Sequence, residues 1–172
     1  MVLDFGISFS SGKSVKDEIL ERLPITLIIN IVSMALIFFI SIFLGIKSAI
    51  TKNKKNDFFI KQLSLFSYSF PSFYLALIVI IVFAVNLKIF PVSGLHSSDM
   101  PANSFEYYFD MFMHLFLPIF VIVATGIGSL TLYIRSLTVD ILKSDYIFFA
   151  KSRGISEKTI FYKYIIPRSE EH

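Results

Sequence analysis

Three stretches of this sequence carry no charged residue: 23–46 (LPITLIINIVSMALIFFISIFLGI), 63–87 (LSLFSYSFPSFYLALIVIIVFAVNL) and 115–134 (LFLPIFVIVATGIGSLTLYI). All 16 Lys and Arg and all 13 Asp and Glu lie outside them. About 20 apolar residues in a helix cross the roughly 30 Å hydrocarbon core of a bilayer. A backbone in hydrocarbon must satisfy its own N–H and C=O groups, so such segments are helices. The alternative, buried helices of a soluble protein, fits badly, because three windows of this length exceed the usual core helix. Composition agrees: 17% of the residues are charged, against about 25% in ordinary soluble domains. The expected fold is therefore all-α and integral to the membrane, with three transmembrane helices and the lipid bilayer as a partner. The first window follows an acidic stretch, is too long for a signal-peptide core and lacks a small-residue cleavage pattern. There is no Cys, which excludes disulfides and thiolate metal sites. The net charge of +3 is too small and dispersed to argue for nucleic acid.

The flanking charges orient the bundle. Lys47, Lys52, Lys54, Lys55 and Lys61 face a lone Asp57 between the first two windows. Lys88 faces Asp99, Glu106 and Asp110 between the second and third. Arg135, Lys143, Lys151, Arg153, Lys158, Lys163 and Arg168 follow the third. The positive-inside rule then gives a multi-pass protein of the cell membrane with its N-terminus outside and its C-terminus in the cytoplasm. The expected division is 1–22 extracytoplasmic, 23–46 transmembrane, 47–62 a cytoplasmic basic loop, 63–87 transmembrane, 88–114 extracytoplasmic, 115–134 transmembrane and 135–172 cytoplasmic.

Within the windows, Pro24 and Pro118 are expected near outer helix ends, where a missing N–H costs little. Pro71 lies about a third of the way into its window and should kink or break that helix. Ser67, Ser69 and Ser72 are available there for freed carbonyls. Pro71, Ser69 and Ser72 are candidates for lining a polar pathway, with plain helix packing the blander reading. Gly126, Gly128 and Ser129 form a small-residue patch suited to close helix approach. His96, His114 and His172 are too scattered for a metal site and are read as surface residues. No phosphate-loop pattern and no paired carboxylates appear, so no cofactor and no enzymatic chemistry are expected.

The polar segment from Asp145 to Pro167 carries its own helical signals. Ile141, Leu142, Asp145, Phe148 and Phe149 recur at three- and four-residue steps. Gly154 suits a left-handed cap, and Ser156 and Glu157 suit the start of a second helix. Ile160, Phe161, Tyr164 and Ile165 share one arc of that helix. Helix, hinge and helix with a modest apolar face would dock on lipid or on a protein, and the residues alone leave both open.

Several segments in order resemble a known family: Asp4-Phe-Gly-Ile-Ser, Ile19-Leu-Glu-Arg-Leu-Pro-Ile-Thr-Leu27, Ser69-Phe-Pro-Ser-Phe73, Phe90-Pro-Val-Ser-Gly94, His114-Leu-Phe-Leu-Pro118, Asp145-Tyr-Ile and Ala150-Lys-Ser-Arg-Gly154-Ile-Ser-Glu. The chain resembles the permease subunits of ABC importers, in the dipeptide, oligopeptide and nickel branch. The resemblance implies part of a six-span permease bundle with a cytoplasmic helix-Gly-helix coupling segment. It implies contact with cytoplasmic ATPase subunits through Asp145, Ala150, Gly154, Ser156, Glu157 and Phe161. It also implies a second permease subunit and an extracytoplasmic solute-binding protein as partners. ATP-driven closure of the ATPases would switch the bundle between outward- and inward-facing states, importing peptides or a related solute such as nickel. Relatives of this kind are longer, so the expectation is a chain truncated at both ends. A non-functional remnant and a small membrane adaptor without transport are the alternatives.

Overall fold

The computed structural model describes residues 5–9, 11–95 and 104–154. They form five α-helices: α1 Val15–Ile50, α2 Lys54–Ser69, α3 Ser72–Val79, α4 Phe105–Lys143 and α5 Asp145–Ser152. α3 runs on into a π-helical stretch, Ile80–Asn86. An isolated bridge between Ile7 and Ser14 is the one β pairing among the described residues.

The helix ends follow the chain's polar punctuation. Asp17 and Glu18 lie in the first turn of α1 and Lys47 in its last, each matching the helix dipole. Asn53 caps α2, its side chain accepting from the Lys55 N–H at 3.0 Å. Ser104 caps α4, accepting from the Tyr107 N–H at 3.1 Å. Such caps stabilise a helix start by roughly 1 kcal/mol.

α1 and α4 contain the first and third windows whole and extend well beyond them. The expected basic loop 47–62 is therefore mostly helix, since α1 ends at Ile50 and α2 starts at Lys54. Charge keeps these residues from hydrocarbon; it does not keep them from helical geometry. The same extension puts Pro24 and Pro118 inside α1 and α4 rather than at their ends.

The second window is broken. α2 and the α3–π segment meet at Phe70–Pro71 with a bend of 94°. Pro71 has no N–H to continue α2; instead its carbonyl accepts from the Tyr74 and Leu75 N–H groups, both at 3.1 Å, and starts α3. Ser67 does not serve the freed carbonyls as expected. Its hydroxyl donates across to the Ala124 carbonyl of α4.

Packing is carried by small and hydroxylated residues. Ser33, Ser41, Gly45, Ile46 and Ser48 are the buried residues of α1. Ser41 donates to the Ile127 carbonyl at 3.1 Å, and a Cβ on Gly45 would lie 2.9 Å from the Thr131 carbonyl oxygen and the Ile134 side chain. These pairings rise together, so α1 and α4 run parallel. α2 runs antiparallel to α4, with Ser64 and Tyr68 seated on Gly128, where a Cβ would collide with the Ser64 carbonyl oxygen. The Gly126–Gly128 patch is thus a helix contact, while Ser129 faces outward. Without water, van der Waals contact and interhelical hydrogen bonds, not hydrophobic transfer, hold such helices together.

A smaller apolar cluster joins Val79 and Ala84 to Leu117 and Val121. Beside it Phe90 stacks on Phe116 with ring centroids 4.8 Å apart. Only 11% of the most apolar window of α1 and 28% of that of α4 are buried within the chain. The remaining apolar faces require lipid or further helices around them.

Candidate functional site

Charge converges where α1 ends, α2 begins and α4 passes. Arg135 donates from Nε to Asp57 Oδ1 at 2.8 Å and from Nη2 to Oδ2 at 2.9 Å. Ser48 Oγ donates to Asp57 Oδ1 at 2.5 Å, and accepts from Arg135 Nε at 3.1 Å. Lys61 Nζ, one turn along α2, lies 3.2 Å from Oδ2. One carboxylate thus gathers donors from three helices. The Arg135 guanidinium and the Ser48 hydroxyl hold the Asp57 carboxyl well below the usual carboxylate range, against an opposing effect of burial. The same pairing pushes the Arg135 pKa upward. A forked, charge-assisted pair fixes angle as well as distance, so it sets how α2 sits against α4.

In the sequence these residues register only as loop charges, and nothing there pairs them. Two signals point to the site in retrospect. Asp57 is the one acid among five lysines, and Arg135 is the first charge after the third window. Ser33, Ser41 and Ser48 also recur along one face of α1.

The second feature is the arm that follows α4. Ser144 breaks the helix with extended backbone, its hydroxyl donating to the Ile141 carbonyl at 2.5 Å. α5 then starts at Asp145. The apolar positions read as one recurring series are therefore divided, Ile141 and Leu142 belonging to α4, Phe148 and Phe149 to α5. Ile147 and Ala150 turn inward and are buried, while Phe148 and Phe149 are 67% and 63% exposed. Gly154 takes φ +75°, the left-handed conformation that non-glycine residues adopt at a cost. Asp145 and Gly154 are exposed. Of the positions expected to touch an ATPase, Ala150 is packed inside the chain, and Ser156, Glu157 and Phe161 lie outside the described residues. So do Pro167, His96 and His172.

The third feature lies at the other end of α4. A cavity of about 420 Å³ opens between α3, the Pro91–Gly94 loop and the Leu117–Ile122 turn of α4. Ser72 lines it; Ser69 and Pro71 do not. His114 also lines it, and is not the surface residue expected from sequence. Its side chain is 4% exposed, with Nδ1 2.9 Å from the Asp110 carbonyl oxygen and 3.5 Å from Asp110 Oδ2. Among the described residues no three His, Cys, Asp or Glu side chains gather as metal ligands would.

Residues 41–169 match the family described as the binding-protein-dependent transport system inner membrane component. The chain is similar to the oligopeptide transport system permease protein AppB of Bacillus subtilis, with 37% identity over 94% of this chain and 50% of that protein. It is 29% identical to the inner membrane ABC transporter permease protein YejB of Escherichia coli O157:H7, over 94% of this chain and 45% of that one. It is 25% identical to the peptide transport system permease protein SapB of Salmonella typhimurium, over 95% and 56% respectively. The chain spans about half the length of these curated relatives.

Proposed function

Because the chain belongs to the binding-protein-dependent transport system inner membrane component family, we propose that it forms part of the membrane pathway of an ATP-driven peptide importer, and that the arm after α4 couples it to a cytoplasmic ATPase. The observation that carries the coupling role is the arm itself. α4 passes through the third window and runs on for about two further turns before ending in Ser144, α5 and the left-handed Gly154. A rigid helix ending in a short capped helix can deliver a push over that length, and the exposed Phe148–Phe149 pair and Asp145 give the arm something to dock with.

The orientation proposed places the ends of α1 and α4 and the start of α2 in the cytoplasm. The parallel course of α1 and α4, with α2 antiparallel, supports it, because the lysine-rich ends then share one side. The relatives compared are named for oligopeptide or peptide transport, or as ABC permeases, which favours peptides over nickel as the transported solute. A solute-binding protein outside, a second permease subunit and paired ATPases complete the proposed assembly.

The test is made in membranes that contain the assembled complex. The expected result is ATP-dependent uptake of a labelled oligopeptide and co-purification of the ATPase subunit. Gly154→Pro, and Asp145→Lys separately, should abolish both. Full ATPase association in both variants would reject the arm as the coupling element.

A further inference from the structure

A single carboxylate ties three helices together at one end of a helix that is hinged at its other end. We propose that Ser48, Asp57 and Arg135 form a latch: it holds α2 as a strap against α1 and α4, and it carries displacement of the arm after α4 into α1 and α2. The second clause rests on the coupling role proposed above; the first does not.

α2 is attached by two non-helical connections. At its C-terminal end it meets α3 through the 94° break at Phe70–Pro71. At its N-terminal end a link of only Thr51, Lys52 and Asn53 joins it to α1. Neither connection is a continuous helix, so α2 can pivot as a rigid rod. Along its length it is seated on Gly128 by close backbone contact and held by the Ser67 hydroxyl on the Ala124 carbonyl. Those contacts fix the half of α2 nearest the hinge. The half nearest the link is fixed by the forked pair between Asp57 and Arg135, with Ser48 bringing in α1.

The pair's setting makes it a latch and not a permanent rivet. The side chains of Arg135 and Asp57 are 25% and 19% exposed. On the cytoplasmic side proposed above, water can reach both groups and take over their hydrogen bonds when the helices part. A pair sealed in hydrocarbon could not open without stranding two charges. The geometry is directional as well. Arg135 stands about two turns before the end of α4, on the same unbroken helix that leads into α5. Any tilt or slide of the end of α4 moves the guanidinium, and the two-pronged bond moves Asp57 with it. Lysine at position 135 would supply charge without that fork.

The experiment uses the full chain in nanodiscs. The sequence has no Cys, so Asn56→Cys and Ser136→Cys, both at exposed positions, take nitroxide labels cleanly. Pulsed EPR on this pair should give one narrow α2–α4 distance distribution. Asp57→Asn should widen it at least twofold, Arg135→Lys should widen it less, and the exchange Asp57→Arg with Arg135→Asp should narrow it again. The exchange guards against misfolding, because a chain that failed to fold would not recover. Distributions that superimpose in all four proteins overturn the latch. In the assembled importer, Asp57→Asn should keep ATPase association and lose at least tenfold in peptide uptake. Undiminished uptake beside a widened distribution overturns the transmission clause. Normal uptake in Gly154→Pro would instead reject the coupling role, and the label distances would still decide the latch.

Discussion

The two ends of the bundle are built on different principles. At the lysine-rich end, α1, α2 and α4 meet through a carboxylate, a guanidinium and a hydroxyl at 2.5–3.1 Å, and Lys47 lies 5.4 Å over the Phe43 ring. At the opposite end, α3, its π-helical continuation and α4 meet through apolar side chains around an open cavity. Directional bonds specify one arrangement of helices. Apolar contacts in a membrane are nearly isoenergetic with lipid contacts, so they permit several. The molecule therefore joins an end held by directional bonds to an end held by apolar contacts around a cavity. π-helical geometry, weaker than α and common at functional sites, falls at the yielding end.

Substitutions sharpen or break this contrast. The largest loss is expected from Gly128→Leu, because the obstacle is the Ser64 backbone and not a movable side chain tip. It should cost about 3 kcal/mol or more, read as the midpoint of SDS unfolding. Asp57→Ala comes next. It leaves Arg135 and Ser48 donors without an acceptor and should cost about 2 kcal/mol, with Arg135→Lys about half as damaging. At the yielding end Val79→Ala only enlarges an existing cavity, so its cost should stay near 1 kcal/mol. If it rivals Asp57→Ala, the contrast between the ends fails. Gly126→Ala should be smallest, within about 0.5 kcal/mol, because the added methyl meets only the side chain of Ile37, chiefly its flexible Cδ1 end, and no backbone.

Proton titration separates the ends in another way. The Asp57 carboxyl has a depressed pKa in the folded chain. Its contribution is thus complete above the ordinary aspartate pKa of about 4 and is lost as pH falls below that toward the depressed value. Unfolding midpoints should be flat, as far as Asp57 is concerned, from neutral pH down to about 5. Below about 4 the parent should lose stability relative to Asp57→Asn, which carries no such proton. A parallel decline in both proteins would show that the pair contributes nothing.

The sequence made the membrane class plain, because charge exclusion over three windows is a strong and local signal. The break at Pro71 and the helix seat at Gly128 were equally legible, since each follows from one residue's backbone chemistry. The helix ends were not: Lys54 through Lys61 read as a loop because hydropathy reports lipid compatibility and says nothing about helicity. Asp57 and Arg135 stand 78 residues apart, so no local pattern pairs them. His114 looked like a surface residue for the same reason: it lines one cavity with α3 residues about 40 positions away. In the arm, Gly154 was anticipated as a left-handed cap and has that conformation. Periodicity carried the helix straight through Ser144, whose short side chain instead satisfies the end of α4.

The most direct test of the contrast compares the two ends within one parent chain. A nitroxide pair at Asn56→Cys and Ser136→Cys reports α2 against α4 at the lysine-rich end. A second pair at Phe73→Cys and Phe120→Cys reports α3 against α4 beside the cavity. The first pair should give a narrow distance distribution and the second one at least twice as broad. Equal widths, or a broader distribution at the lysine-rich end, would contradict a rigid latch joined to a yielding cavity end.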